Sequence, residues 1–510
     1  MATTSTRRDT LPDTLPDRAD DAPAPDRASV FRRMFPSIVL PMFIAVMDQT
    51  IVATALPAIA TDLDDVERVA WIVVAYLVAT TIAAPVYGRL GDVYGRRRMM
   101  FVALAVMLLG STACALAPSL PALIFARILQ GLGGGGLMTL SQALISESVP
   151  PRDRARYQGY LASVVVFSNT FGPVAGGWLT SGLGWRSIFW INLPLGLLAA
   201  VLVRRLPAHG PKPDADWRFD TPGLVWFVLF VGPALVAMEQ IRRLRLADAP
   251  VILALIAVAV VSLVLLVRGE LKVAQPLFPF ALLREKTIWR SDAMAACHGA
   301  ALVSLIAYLP IYLRTARGLS PAETGYLLLP IAFGIGIGSL ATGRLVAQTG
   351  RTAIFPSLAL IPVVAILLYV AFNHQTLDLA WFGLIIGVLT FFMGSVMGVV
   401  QVIVQNAAGP GMLGAAAGSV QFSRAVGASF GTALVGAILF AVFKSHTGGA
   451  ADVFADLVER GPSSLAGLAP AARATAEFAL SSGFRAVFLT ITGFAALALV
   501  FAWSIPSRKL

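Results

Sequence analysis

Two apolar runs, Val69–Tyr87 and Met100–Ala117, are joined by a few residues that carry Arg89, Arg96, Arg97 and Arg98. Each run is about as long as a bilayer is thick when wound as a helix. A joint this short makes the runs antiparallel neighbours, and its arginine excess places it on the cytoplasmic side. The joining stretch, Val86–Met99, reads V-Y-G-R-L-G-D-V-Y-G-R-R-R-M. Gly88, Gly91 and Gly95 allow a tight turn and close approach of helix ends. Asp92 is a lone acid among cations, suited to pair with an arginine or to cap a helix N-terminus.

The same alternation of apolar run and short polar joint recurs along almost the whole chain. Only 13% of the 510 residues are charged and 57% are hydrophobic; a soluble protein carries roughly 25% charged residues. Mean hydropathy is +0.78. The fold class expected is therefore an all-α polytopic membrane protein. The net charge of +11 falls largely in loops, as the positive-inside rule predicts, so it does not indicate nucleic acid. Cys114 and Cys297 lie in apolar runs, and the four histidines have no ligand spacing, so neither a disulfide framework nor a metal site is expected. No phosphate-binding G-x-x-x-x-G-K-S/T loop occurs, which argues against ATP as the energy source. The glycine run Gly131–Gly136 lies inside an apolar span, not after a strand, and is not read as a dinucleotide site. No zinc-protease or serine-hydrolase motif appears, so no enzyme is expected.

Met1–Ser29 is polar and proline-rich, reads as a disordered cytoplasmic tail and shows no cleavable signal peptide. The first span is expected at about Pro36–Ala60, the fourth at about Pro121–Ile145, the fifth at about Tyr157–Ser181 and the sixth at about Trp185–Leu202. A basic linker, Arg204–Arg218, precedes two further spans at about Thr221–Ala237 and Pro250–Val267. The turn between them, Q-I-R-R-L-R, is basic although this topology puts it outside. After the linker Arg268–Arg290, spans follow at about Ser291–Leu313, Thr324–Val346, Ile354–Phe372, Leu379–Val404, Gly414–Phe443 and Phe484–Trp503. The total is about fourteen, with both termini cytoplasmic. The domains expected are a tail (1–35), a six-helix bundle (36–204), a linker with two accessory helices (205–290) and a second six-helix bundle (291–510). The second bundle includes an extracytoplasmic segment, 444–482.

Internal repeats support two related bundles. Gly88, Arg89, Leu90, Gly95 and Arg96 align with Gly343, Arg344, Leu345, Gly350 and Arg351. Phe171, Gly172 and Gly177 align with Phe430, Gly431 and Gly436 at nearly the same offset. Parallel repeats of this kind put a substrate near midplane between the halves.

The spacing at Gly88, Arg89, Leu90, Asp92, Gly95, Arg96 and Arg97 resembles the signature loop of the major facilitator superfamily. Three more stretches strengthen the likeness and point to its fourteen-span drug:proton antiporters, the EmrB/QacA type. They are M-D-Q-T-I-V-A-T-A-L-P around Asp48, I-F-A-R-I-L-Q-G around Arg127, and S-N-T-F-G-P-V-A-G-G at Ser168–Gly177. The resemblance covers about Pro36 to Trp503. It departs at Ala347, which stands where the first loop has its acid, and at the basic turn Arg242–Arg245. It implies two six-helix bundles with two accessory helices. It also implies that the first loop latches the halves in the outward-facing state.

Asp48 lies near the middle of the first span, where a carboxylate costs at least about 2.5–3.5 kcal/mol. An acid there can take up a proton on one side and release it on the other. The resemblance implies a coupling role for Asp48. Arg127 is its natural partner, since a permanent cation in the membrane faces a cavity or an acid. Gly172, Pro173, Gly176 and Gly177 suit a bend and close helix contact at a gate, and by resemblance they mark exporters. Gln49, Gln130, Asn169, His298, Tyr312, Gln401 and Gln405 are candidates for the cavity lining, with Gln421 and Tyr308 beside them. Arg424 is assigned a structural role. Asp292 and Glu239 lie near span ends and read as snorkelling.

The function expected is proton-coupled efflux of lipophilic compounds, cationic ones included, by alternating access. An exporter of a lipid or a specific metabolite is the alternative, and a scaffold or receptor is the different-class alternative. No cofactor is expected beyond the proton gradient. The partners expected are a small lipophilic substrate, protons and the bilayer of a bacterial inner membrane, with an envelope adaptor protein left open.

Overall fold

The computed structural model describes residues 27–65, 68–206, 219–243, 249–273, 276–278, 280–446 and 470–506. The regular elements among these residues are helices, joined by short turns. The first bundle comprises α1 (Arg27–Ile51), α2 (Leu56–Asp62), α3 (Trp71–Tyr94), α4 (Arg96–Ala115), α5 (Leu120–Ser148), α6 (Pro151–Leu183), α7 (Ser187–Trp190) and α8 (Asn192–Val203). A hairpin of α9 (Thr221–Arg243) and α10 (Ala249–Glu270) follows. The second bundle comprises α11 (Lys286–Thr315), α12 (Pro321–Thr349), α13 (Ile354–Asn373), α14 (Leu379–Ala408), α15 (Leu413–His446) and α16 (Pro470–Ser504).

Among the described residues, 12 helices are long and apolar enough to cross a membrane. The more polar α6 and the short pair α7–α8 occupy the places expected for the fifth and sixth spans.

Local chemistry sets the boundaries. The first span is not continuous to Ala60 as expected: α1 ends at Ile51, a 3-10 turn covers Val52–Thr54, and α2 starts at Leu56. Pro57 is the reason, because it has no N–H to donate back into the preceding turn. The helix also reaches back to Arg27, so residues 27–35 are not the irregular tail expected. At the other end α16 begins at Pro470, and residues 470–482 belong to a helix, not to a loop. The remainder of the tail, residues 207–218 of the first linker, residues 244–245 of the basic turn and residues 447–469 lie outside the described residues. Gly95 (φ +89°) turns the chain between α3 and α4, and its repeat partner Gly350 (φ +65°) ends α12. Both adopt a conformation that favours glycine. Ser320 and Glu323 form a reciprocal capping box at the start of α12.

The glycine run of α5 is a packing surface. A Cβ at Gly133 would collide with Met107 of α4, and one at Gly135 with Thr80 of α3. Glycine here lets three backbones approach closely. The α9–α10 hairpin leaves most of its aliphatic surface exposed, as a lipid-facing pair would. It is anchored through Phe227, whose ring lies 4.0 Å from that of Phe278 and 5.4 Å from that of Phe422 on α15.

The two bundles meet along α3–α15 and α6–α12, and the meeting follows the internal repeat. Gly88 of α3 lies against the backbone of Gly414 at the start of α15, and Gly343 of α12 lies against that of Ala155 at the start of α6. Ser146 donates to Gln405, and Arg154 donates to Asn406 at 2.6 Å. These contacts gather at the end of the molecule that carries Arg96–Arg98, the first turn of α4, here called the basic end.

Candidate functional site

Asp48 sits on the last turns of α1, fully buried, at the centre of a polar cluster drawn from four helices. Its Oδ2 accepts from Arg127 Nη1 of α5 at 2.6 Å. Its Oδ1 accepts from Gln130 Nε2 at 2.8 Å and from Asn192 Nδ2 of α8 at 2.6 Å. Ser111 of α4 accepts from both amides, at 3.1 Å and 3.0 Å, and donates to the Phe189 carbonyl at 2.8 Å. Arg127 also donates to Gln130 Oε1 at 2.7 Å, and its guanidinium carbon lies 4.1 Å from the centre of the Tyr76 ring. Asp48, Ser111, Arg127, Gln130 and Asn192 all have 0% exposure.

The spacing explains why. Arg127 and Gln130 are three residues apart and therefore share one face of α5. At the break around Ile191 between α7 and α8 the Phe189 carbonyl accepts from Ser111, and Asn192 opens α8 from within the cluster. An ion pair at this depth requires its remaining lone pairs and protons to be answered by hydrogen bonds. Asp48 has three donors. Arg127 keeps one amino group, Nη2, without a partner. Sequence reasoning brought Asp48 and Arg127 forward but missed Ser111 and Asn192. Asn192 was detectable as an amide within the apolar run W-I-N-L-P.

The basic end forms a second constellation. Asp92 accepts from the backbone N–H of Gly414 and of Ala415, each at 2.9 Å, and so caps the first turn of α15. It also accepts from Arg96 at 2.5 Å, and Arg96 pairs in turn with Glu147. Asp92 therefore both pairs with an arginine and caps a helix, the two roles open to it in the sequence. Arg89 and Arg97 are half-buried. In the repeat, Ala347 takes the place of Asp92, and this cap exists on one side of the seam.

Gly172 and Gly176 of α6 face α1, where an added Cβ would meet Thr50 and Ile51. Pro173 lies within α6 without ending it. Gly177 departs from the close contact expected: nothing lies within 4 Å of where its Cβ would be.

The remaining candidates divide. Gln401 lines a small cavity in the seam. Asn169 is exposed and Gln49 half-buried. Four residues expected in the cavity wall are placed elsewhere. Gln130 belongs to the Asp48 cluster. Gln405 is held in the closed seam by Ser146, the Gln142 carbonyl and the Leu413 carbonyl. His298 is buried with Nε2 2.9 Å from the Met393 carbonyl oxygen. Tyr312 donates to the His374 carbonyl at 2.5 Å within an aromatic core of Phe382, Phe484 and Phe488. In each case a polar side chain in an apolar span finds a partner on the neighbouring helix rather than facing an open space. Arg424 also lines the seam cavity, and Asp292 is buried near Ser419, not snorkelling as expected.

Comparison with known proteins agrees with this architecture. A profile of the Major Facilitator Superfamily matches residues 38–432. An uncharacterised MFS-type transporter of Mycobacterium tuberculosis (strain ATCC 25618 / H37Rv) is 35% identical over 476 residues, covering 90% of this chain and 68% of the relative. The multidrug transporter protein MdtP of Bacillus subtilis (strain 168) is 28% identical over 402 residues, covering 79% and 74% respectively. Among solved structures, the proton:xylose symporter XylE aligns with a TM-score of 0.60 at 15% identity, covering 94% of this chain and 97% of that one. At that identity the likeness concerns the fold alone.

Proposed function

This chain belongs to the Major Facilitator Superfamily, and on that footing we propose that it is a proton-coupled exporter of lipophilic compounds, of the fourteen-span drug:proton antiporter type. It is a multi-pass membrane transporter, not an enzyme. The efflux reading is supported by multidrug transporters among its relatives. The basic end would face the cytoplasm of a bacterial inner membrane, with both termini on that side.

The observation that carries the coupling is the Asp48–Arg127 pair. Charged Asp48 balances Arg127, and neither side chain is exposed. A proton on Asp48 would leave Arg127 a buried cation without its counter-ion. Breaking one side of a buried pair destabilises by about 3–5 kcal/mol. The protonated arrangement would relax by moving α1, α5 and α8, which hold the cluster. Because Asp48 is sealed in this state, proton exchange would belong to another state of the cycle. The contacts at the basic end describe a state closed there, and rocking of the two bundles would open that end and seal the other.

The test uses purified protein in proteoliposomes with an imposed pH gradient and a lipophilic dye, for the native chain and Asp48→Asn. Gradient-driven dye movement abolished in the variant is the expected result. Movement of equal rate in the variant would place the coupling elsewhere and overturn this mechanism.

A further inference from the structure

The seam holds a second membrane-embedded cation that the coupling scheme leaves unused. Arg424 of α15 and Gln401 of α14 line one side of a cavity of about 20 Å3, room for a single water, and Gln142 and Gln158 of the first bundle line the other. The remaining wall is methionine and aliphatic, with Met42 and Met397 on opposite bundles.

The polar groups around this cavity are incompletely paired. Arg424 Nη1 donates to Gln421 Oε1 at 3.0 Å and Nη2 to the Met397 carbonyl at 3.3 Å, and its Nε has no partner. Among the described residues no carboxylate lies within ion-pairing distance of Arg424. Asp292 engages Ser419 at 3.4 Å, about a turn and a half along α15 from Arg424. Gln401 is 1% exposed, yet neither its Nε2 nor its Oε1 finds a partner. Gln142 Oε1 is likewise unpaired. Gly299 of α11 lies against Arg424, whose Cγ is 3.0 Å from where a Cβ would be, so the arginine is seated by the fold.

The contrast with Arg127 carries the argument. A cation at this depth is costly. Arg127 is answered by Asp48; Arg424 is answered only by neutral oxygens. Buried donors and acceptors left open call for a partner from outside the chain. We propose that Arg424, with Gln401 and Gln142, recognises the compact anionic head of an otherwise lipophilic cargo: a carboxylate, sulfonate or phenolate. The planar guanidinium suits a bidentate anion, and the Gln401 amide offers one donor and one acceptor to orient it. The methionine walls adapt to varied apolar bodies. Parting of the bundles enlarges the cavity to admit them. The proposal rests on the transporter reading above and replaces the expectation of cationic cargo.

The test compares fluorescein, anionic at neutral pH, with rhodamine 123, a cation on the same ring system. Binding of each is measured by fluorescence anisotropy to the full chain in phosphatidylcholine nanodiscs, with empty nanodiscs subtracted. The native chain is expected to bind fluorescein in preference to rhodamine 123. Arg424→Gln should weaken fluorescein about tenfold or more, and Arg424→Lys less. Gln401→Leu, which leaves the cation in place, should weaken it about threefold. No fluorescein binding to the native chain, equal binding by Arg424→Gln with an unchanged melting temperature, or preference for rhodamine 123 would each overturn the proposal. Should Arg424→Gln not fold, Gln401→Leu decides, and unchanged fluorescein affinity there overturns it. Binding that follows this pattern while the pH gradient drives no transport would sink the proton-coupled reading and leave the subsite standing.

Discussion

Asp92 accepts the backbone N–H of Gly414 at 2.9 Å, a hydrogen bond that crosses from the first bundle to the second. A carboxylate at a helix N-terminus satisfies open N–H groups and complements the helix dipole. The same carboxylate is held by Arg96 of its own bundle.

Removing that cap should favour opening of the basic end. Asp92→Ala is expected to weaken the closed state by about 0.5–2 kcal/mol, up to roughly a thirtyfold change in the closed-to-open ratio. Spin labels at the basic ends of α3 and α15 would report it as a gain in the longer distance. An unchanged distance distribution would mean that the glycine contacts alone hold the seam.

The Asp48–Arg127 pair should behave as one unit. Asp48→Asn and Arg127→Gln are each expected to destabilise by about 3–5 kcal/mol, because each leaves a buried charge alone. The double variant should lose less than the sum of the two. Thermal unfolding of the purified variants measures this, and strictly additive losses would show that the two side chains do not depend on each other.

Three glycines of α6 should respond differently to one methyl group. Gly172→Ala and Gly176→Ala press on Thr50 and Ile51 of α1 and should destabilise by about 1–3 kcal/mol. Gly177→Ala enters open space and should stay within about 0.5 kcal/mol of the native chain. Equal losses at all three positions would contradict this packing.

One ion pair outside the spans predicts a pH effect. Asp62 at the end of α2 accepts from Arg186 at 2.8 Å and from Trp185 at 3.0 Å. The hydrogen bond from Arg186 first, and that from Trp185 next, hold its carboxyl below its ordinary value of 3.8. A carboxylate with a lowered value adds stability above its ordinary range and loses it as pH falls through its folded value. The gap in melting temperature between the native chain and Asp62→Asn should therefore be present at neutral pH and close in strong acid. A gap that widens in acid would refute the assignment. The effect should be small, because the pair is exposed and screened.

Much of the candidate site was legible before any coordinates. Asp48 and Arg127 stood out because charge within an apolar run is expensive and calls for a reason. The stretch Gly88–Arg97 stood out through its spacing, although the structure winds all of it but Gly95 into α3 and α4, and the repeat at Gly343–Arg351 stood out through its likeness to that stretch. Ser111 and Asn192 escaped because small polar residues are common in membrane helices, where their partners lie on other helices. Tyr312 and Gln405 misled for the same reason. A polar side chain in a span announces a need for a partner, without saying whether that partner is a carbonyl, an opposing bundle or a ligand.

By itself the sequence determined that this chain crosses a membrane many times, that its halves are related, and which turn is basic. Those properties follow from transfer free energies and from residue spacing, which are local along the chain. Tertiary structure decided which polar groups meet: Asp48 with Asn192, 144 residues apart, and Asp92 with Gly414, 322 residues apart. It also decided that Arg424 meets no acid among the described residues. Inside lipid, the position of a helix among its neighbours is set by small-residue contacts and shared hydrogen bonds between distant segments. That information exists only once the bundles are packed.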